Sequence, residues 1–224
     1  MIHVRSCLEV NYNSPDRGSK SMTVCMRLYL LVMLGMLSAC SIFPDTKPVV
    51  VNKYVLEYSA DNAGSALPVD LPVMIMTVPR AHSGYNTTKI AYRKQLFGLS
   101  YYAKSRWVDT PGRMLAPLMA EAMNDTSAFQ AQYASPGALS ARYRLDSELI
   151  DFYQDFTVQP SQMRITLRAQ LVGLQENRVL ATQLFDVRET AASEDAYGGV
   201  QAANRATAAL LQQLADFCKS RTAR

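Results

Sequence analysis

Histidine, cysteine and tryptophan are scarce in this sequence of 224 residues, which holds 2 His, 4 Cys and 1 Trp. From residue 40 onward there remain a single histidine, His82, and two cysteines, Cys40 and Cys218. A structural zinc site takes about four histidine and cysteine ligands, so this part of the chain cannot build one from those residues. A disulfide between Cys40 and Cys218 is also excluded if Cys40 carries a lipid.

The sequence also lacks a membrane-length apolar run and any cluster of basic residues. The apolar run at residues 28–37 covers ten residues, whereas a spanning helix needs about 20. Lysine and arginine number 23 against 19 aspartates and glutamates, a net charge of +4. Because these cations form no stripe that could follow a phosphate backbone, we expect no nucleic-acid partner.

Catalytic motifs are missing as well. We find no P-loop and no glycine-rich dinucleotide fingerprint, and residues 98–102 lack the second glycine of a nucleophile elbow. His82 lies in a predicted loop without a neighbouring nucleophile motif. Asp151 and Asp155 could form an acid/base pair, but solvent-facing positions of one strand explain them more simply. We therefore expect no enzyme. An envelope hydrolase that uses Asp151 or Asp155 ranks behind the two non-catalytic hypotheses given below.

The N-terminal region has the layout of a secretory signal. Arg27 precedes the apolar run, and Leu37-Ser38-Ala39-Cys40 ends it with small residues. This ending resembles the lipobox of bacterial lipoproteins, where the cysteine receives diacylglycerol, the chain is cut before it, and the new amino terminus is acylated. The alternative is an ordinary signal peptide with an incidental cysteine. The complete pattern favours lipidation of Cys40, and we expect no other cofactor.

Three segments follow from this interpretation. Residues 1–39 are an upstream segment and a signal peptide that is removed, and residues 40–52 are the acylated cysteine and a tether. Residues 53–224 form a single periplasmic domain. In the common sorting rule for such lipoproteins, serine after the acylated cysteine permits export to the outer membrane, so Ser41 predicts the periplasmic face of that membrane.

Nine short apolar or alternating runs supply the material for about seven predicted strands. They occupy residues 54–58, 72–79, 88–93, 99–103, 106–108, 129–131, 143–156, 163–171 and 179–187. Residues 72–79 are apolar throughout between two prolines, which favours a central strand. In residues 143–156 the apolar phase changes after Leu149, and a one-residue change within a strand predicts a β-bulge.

Two helices complete the pattern. Thr110 is a predicted N-cap, Pro111 suits the first turn, and residues 124–125 end the first helix. Ser193 is the predicted N-cap of a long final helix. One apolar stripe of that helix comprises Val200, Ala203, Thr207, Leu210, Leu214 and Phe217. The fold class is therefore α+β, a two-layer domain with a mixed, largely antiparallel sheet of about seven strands packed by two main helices.

The order of several segments resembles the ABC-type transport auxiliary lipoprotein family, outer-membrane lipoproteins that accompany MCE-type lipid transporters. The matching stretches are residues 53–56, 78–79, 90–93 and, most specifically, 101–111, which read Tyr-Tyr-Ala-Lys-Ser-Arg-Trp-Val-Asp-Thr-Pro. The segment at residues 84–86 departs from the pattern, because a hydrophobic residue is expected soon after its tyrosine.

This resemblance implies a non-catalytic subunit of an ABC/MCE-type intermembrane phospholipid transport system, docking the transporter at the outer membrane. Its partners would be the MCE-domain protein and the membrane itself, through the lipid anchor. The alternative is a periplasmic lipid-binding carrier with its own acyl-chain cavity. Whether phospholipid binds directly and whether the chain forms a homo-oligomer both stay open.

The segment with the strongest resemblance also supplies the candidate partner interface: Tyr101, Tyr102, Arg106 and Trp107. Trp107 has two interpretations, a core anchor at the entry to the first helix or an exposed contact for the transporter. Large aromatic residues beside a capped helix usually pack into the core. Cys218 is interpreted as a small buried hydrophobic residue of the final helix rather than a redox thiol.

Overall fold

A computed structural model describes residues 50–59, 70–133 and 141–222, and all secondary structure discussed below lies in these ranges. The predictions for the signal segment, for Cys40 and for Ser41 concern positions outside them. Among the described residues, no helix is long and apolar enough to cross a membrane.

The described residues form nine strands and two helices, and the expected α+β class is confirmed. The strands are β1 (Asn52–Tyr54), β2 (Val73–Met76), β3 (Arg80–Ala81), β4 (Lys89–Arg93), β5 (Ser100–Trp107), β6 (Gln130–Tyr133), β7 (Tyr143–Asp155), β8 (Gln162–Gly173) and β9 (Arg178–Thr190). The helices are α1 (Pro111–Asp125) and α2 (Ala196–Thr222).

Strand β7 lies at the centre of a mixed sheet. Its whole length pairs antiparallel with β8, which pairs antiparallel with β9. On its other side β7 pairs in succession with β2, β3 and β4, all parallel to it. Beyond β2 lies β6, and beyond β4 lie β5 and then β1. The predicted central position of β2 is confirmed, since it pairs on both sides.

The predicted bulge occurs in β7. Leu149 pairs with Leu167 and Asp151 with Thr166, so Ile150 is an extra residue in its strand. A bulge moves the following side chains to the other phase of the strand. Leu149 before the bulge and Phe152 after it are consequently both buried, although they are three positions apart.

Both helices pack on one face of the sheet and enclose the core. The predicted stripe of α2 is buried along its length, and Phe217 meets Phe185 of β9 edge-to-face with ring centroids 5.9 Å apart. Because paired residues share a face, Phe185, Leu167 and Leu149 all point toward the helices. Cys218 is fully buried beside this stripe, which confirms its structural interpretation.

The caps of the two helices differ in detail from the predictions. Helix α1 begins after Thr110, but the Thr110 side chain makes no capping bond. Asp109 instead accepts a hydrogen bond from the Thr110 amide at 2.7 Å. Helix α2 is capped by Asp195 rather than Ser193, because the helix begins at Ala196 and the Asp195 carboxylate accepts from the Gly198 amide at 2.8 Å.

The strand count exceeds the expected seven because short pieces that have no clear periodicity also pair. Residues 80–81 form a strand of only two residues. The predicted strand at residues 54–58 shrinks to Asn52–Tyr54. Beyond Tyr54 the backbone bonds to a side chain instead of a neighbouring strand. Asn204 accepts a hydrogen bond from the Glu57 amide at 2.7 Å and donates one to the Val55 carbonyl at 3.3 Å.

Candidate functional site

The histidine and cysteine side chains of the domain do not form a reactive centre. His82 is half exposed, with its Nε2 3.3 Å from Glu148 Oε1. Cys218 lies in the core beneath α2, where burial raises the pKa of its thiol to about 12. Within the described ranges, no group of three or more histidine, cysteine, aspartate or glutamate side chains is placed to hold a metal.

The aspartates considered as an acid/base pair are both bound to neighbouring side chains. Asp155 accepts a hydrogen bond from Arg93 at 2.8 Å, and Asp151 accepts from Thr166 at 3.1 Å and from Tyr85 at 3.3 Å. Burial alone would raise the pKa of Asp155, but hydrogen bonds from Arg93 and Thr157 outweigh it and lower that pKa. Asp155 is therefore ionised at neutral pH and is a poor proton donor.

Asp151 and Asp155 belong to a set of ion pairs on the sheet face opposite the helices. Arg164 lies 2.8 Å from Asp186, and Arg168 lies 2.7 Å from Glu148. Burial opposes ionisation of Asp186, yet its hydrogen bond from Arg164 dominates and lowers the pKa of that carboxyl. Cations and anions alternate across β7, β8 and β9, so this face is paired internally.

Tyr85 and Arg93 cover the buried ring of Tyr153 on the same face. Tyr85 stacks on it with ring centroids 6.1 Å apart, and the Arg93 guanidinium lies 4.4 Å from its centroid. Burial, followed by the charge of Asp151, raises the pKa of the Tyr85 hydroxyl. The loop at residues 82–88, where the sequence departs from the family pattern, thus has a structural role over the sheet.

Two surface clefts are lined mainly by polar side chains. The larger, about 540 Å³, is bounded by Thr77, Val78, Arg80, Asp146, Ser147, Glu148, Arg168, Gln170 and Thr182. The second, about 490 Å³, is bounded by Lys53, Tyr54, Val55, Glu57, Tyr197, Val200, Gln201, Asn204 and Arg205. Charged and amide groups in both walls suit water or a polar ligand better than an acyl chain.

Trp107, one of the four candidate interface residues, lies in the core. It is 2% exposed, and its ring meets Phe152 edge-on with centroids 5.5 Å apart. Its backbone amide donates to the Thr88 carbonyl at 2.7 Å, which fixes the end of β5 before α1. Trp107 is therefore a core anchor at the entry to α1. Its assignment to the partner interface is wrong, because a buried ring cannot contact a partner.

Tyr102 is engaged in a buried polar chain under the start of α2. Its hydroxyl donates to Gln154 Oε1 at 2.8 Å, and Gln154 donates to Ser161 Oγ at 2.9 Å. Gly199 permits this arrangement, because a Cβ there would lie only 2.2 Å from Gln154 Oε1. Burial, followed by the charge of Asp195, raises the pKa of the Tyr102 hydroxyl.

Tyr101 and Arg106 stabilise the irregular course of β5. Lys89 of β4 pairs with Arg106, but Ala91 pairs with Tyr101, so β5 bulges between these positions. Arg106 Nη1 donates to the carbonyls of Tyr102 and Ser105 inside the bulge. Tyr101 donates to the Gly84 carbonyl at 2.9 Å. Tyr101, Tyr102 and Arg106 each retain partial exposure, and their contact with a partner stays a prediction.

One exposed apolar feature was not anticipated from the sequence. The turn between β4 and β5 presents Leu96 and Phe97, which are 69% and 102% exposed. Phe97 also has a positive φ of 62°, a conformation that favours glycine. The available signal was the run Leu96-Phe97-Gly98-Leu99 between two strands, where turns are normally polar.

The sequence and the fold both match known proteins. A family model described as the ABC-type transport auxiliary lipoprotein component matches residues 54–215. The crystal structure of protein XCC0632 from Xanthomonas campestris is 20% identical, with a TM-score of 0.65 over 77% of this chain and 95% of that one. A structure of an uncharacterised protein is 10% identical, with a TM-score of 0.60 over 75% of this chain and 99% of that one. No curated protein matches the sequence.

Trp107→Ala should lower the free energy of unfolding by about 3–5 kcal/mol, because it removes a fully buried ring from the core. Val108→Ala is the matched control, since Val108 is adjacent but 49% exposed, and it should cost within about 0.5 kcal/mol. Urea denaturation measures both. Equal midpoints for the two variants would contradict the core assignment.

Asp155→Asn should make the free energy of unfolding less dependent on pH in the acidic range. The pKa of Asp155 is lowered in the folded state, so its stabilising contribution is complete above the unfolded value of about 3.9 and is lost as pH falls through the lower folded value. The variant should be less stable at neutral pH and should lose less stability on acidification below about pH 4. Denaturant titrations over this range test it; parallel profiles for the two proteins would refute the assignment.

Proposed function

The chain belongs to the ABC-type transport auxiliary lipoprotein family, and from this premise we propose that it is a non-catalytic subunit docking an ABC/MCE-type phospholipid transporter at the outer membrane. The observation that carries the proposal is the family match over residues 54–215, which spans nearly all of the folded unit. The partner in this proposal is the MCE-domain protein of the transporter.

The lipid anchor in this proposal is Cys40. Between Cys40 and the start of β1 at Asn52 the chain covers twelve positions, and at about 3.3–3.6 Å each these span at most roughly 40 Å. A diacylglycerol and an amide-linked acyl chain hold a protein far more firmly than one chain, at about 0.8 kcal/mol per buried methylene. The domain would thus work close to the periplasmic face of the membrane that holds it, and Ser41 favours the outer membrane.

A docking role without catalysis is supported by how the domain uses its titratable groups. Asp151, Asp155 and Asp186 are occupied by hydrogen bonds or ion pairs that hold the sheet together. Cys218 is buried and its thiol is hard to ionise. Side chains employed in this way stabilise a rigid surface rather than perform proton transfer.

The two clefts among the described residues favour the docking role over the carrier alternative. A carrier needs an apolar cavity that covers most of an acyl chain. The clefts of about 540 Å³ and 490 Å³ instead have walls that include Arg80, Arg168 and Arg205. Native mass spectrometry of the purified protein would reveal a bound phospholipid if the chain were a carrier.

Co-purification from detergent-solubilised envelope tests the docking role. A C-terminally tagged full-length protein should recover an MCE-domain protein. Cys40→Ala is the matched control, because loss of the modified thiol should block cleavage, leave the precursor in the inner membrane and reduce recovery of the partner. Absence of any MCE-domain protein from the wild-type sample would contradict the proposal.

A further inference from the structure

The turn between β4 and β5 carries the most exposed aromatic side chain of the described residues. Phe97 is fully exposed and Leu96 is 69% exposed, while Leu99 at the start of β5 is 38% exposed. We refer to Leu96, Phe97 and Leu99 as the apolar tip. Large apolar side chains that are exposed in a cluster are typical of surfaces that meet another phase or partner.

The apolar tip is held by an ordered turn. The Gly98 amide donates to the Gln95 carbonyl at 3.1 Å and closes it. Below the turn, the ring of Tyr92 lies 4.8 Å from Tyr102 and 6.0 Å from Phe156. Phe97 is thus fully exposed on an ordered turn, in a positive-φ conformation that costs a residue other than glycine free energy.

The chain runs into β1 from the direction of the apolar tip. Strand β1 runs parallel to β5, with Asn52 opposite Ser105, so the residues before Asn52 lead back toward the beginning of β5. Val50 and Val51, which precede β1, are 77% and 41% exposed. Val50, the first described residue of this segment, therefore precedes β1 on the side toward the tip.

The turn between β7 and β8 also lies at this end, because β7 runs parallel to β4. It contributes the exposed Val158. The acidic groups at this end already have partners: Asp155 pairs with Arg93, Glu194 accepts from the Ser161 amide and Asp195 caps α2. Lys94 remains beside the tip, its ammonium 5.6 Å from the centre of the Tyr92 ring.

We propose that the apolar tip is a second membrane contact, in which Leu96 and Phe97 enter the acyl region of a phospholipid surface while Lys94 lies among the headgroups. The inference rests on the lipid anchor of the proposed function, because the anchor and its short tether bring this end of the sheet to the bilayer. Aromatic and basic side chains favour this position at the boundary between lipid and water. The tip orients the domain, whereas the acyl chains hold it.

Bromolipid quenching tests the contact in the full-length lipidated protein. The protein is reconstituted into vesicles of phosphatidylethanolamine and phosphatidylglycerol that include brominated acyl chains. Phe97→Trp should lose fluorescence relative to vesicles without bromine, and in both kinds of vesicle its emission should lie to the blue of an indole in water. Leu184→Trp is the matched control, because Leu184 is 56% exposed but lies within β9, away from this end, and it should be unaffected.

Wild-type protein, whose Trp107 is buried, supplies the background fluorescence. Flotation of the vesicles reports the anchor separately: loss of flotation overturns the anchor and the tip contact with it, whereas flotation without quenching overturns the tip contact alone. Equal quenching of the two variants also overturns it. Protection of the Phe97→Trp indole from iodide only after addition of an MCE-domain protein, without bromolipid quenching, would assign the tip to a protein partner instead.

Discussion

The pairing of β7 with β8 is the interaction on which the rest of the structure depends. It runs from Tyr143 to Asp155 and presents apolar side chains to both helices on one face. The other face carries alternating charges that pair across β7, β8 and β9. Because β2, β3 and β4 all attach to the opposite side of β7, this single strand also fixes where the β4–β5 turn and the chain entry lie.

The same frame gives structural partners to residues whose types could perform chemistry. Arg93, Asp155 and Tyr153 form a packed group in which a salt bridge of 2.8 Å lies beside a ring covered at 4.4 Å. Tyr102 and Gln154 form a polar chain under the start of α2, where Gly199 leaves room for it. The described part of the domain thus combines polar clefts with an exposed apolar turn between β4 and β5.

Periodic features of the structure could be predicted from the sequence, and features that depend on distant partners could not. The stripe of α2 and the phase change after Leu149 are local patterns, and both appear as expected. The end of β1 depends on Asn204, which lies far along the chain and bonds the backbone at Val55 and Glu57. Trp107 supported two interpretations because its burial is decided by Phe152, which no local pattern identifies.

Site-specific photocrosslinking in intact cells tests the central claim, that this domain docks a transporter, most directly. A photoreactive amino acid at Lys104, an exposed position of β5 between Tyr102 and Arg106, would probe the predicted interface without disturbing the core. The same amino acid at Leu184 of β9 is the control. The account predicts an adduct with an MCE-domain protein from position 104 and not from position 184. Absence of that adduct at position 104, or equal adducts at both positions, would contradict it.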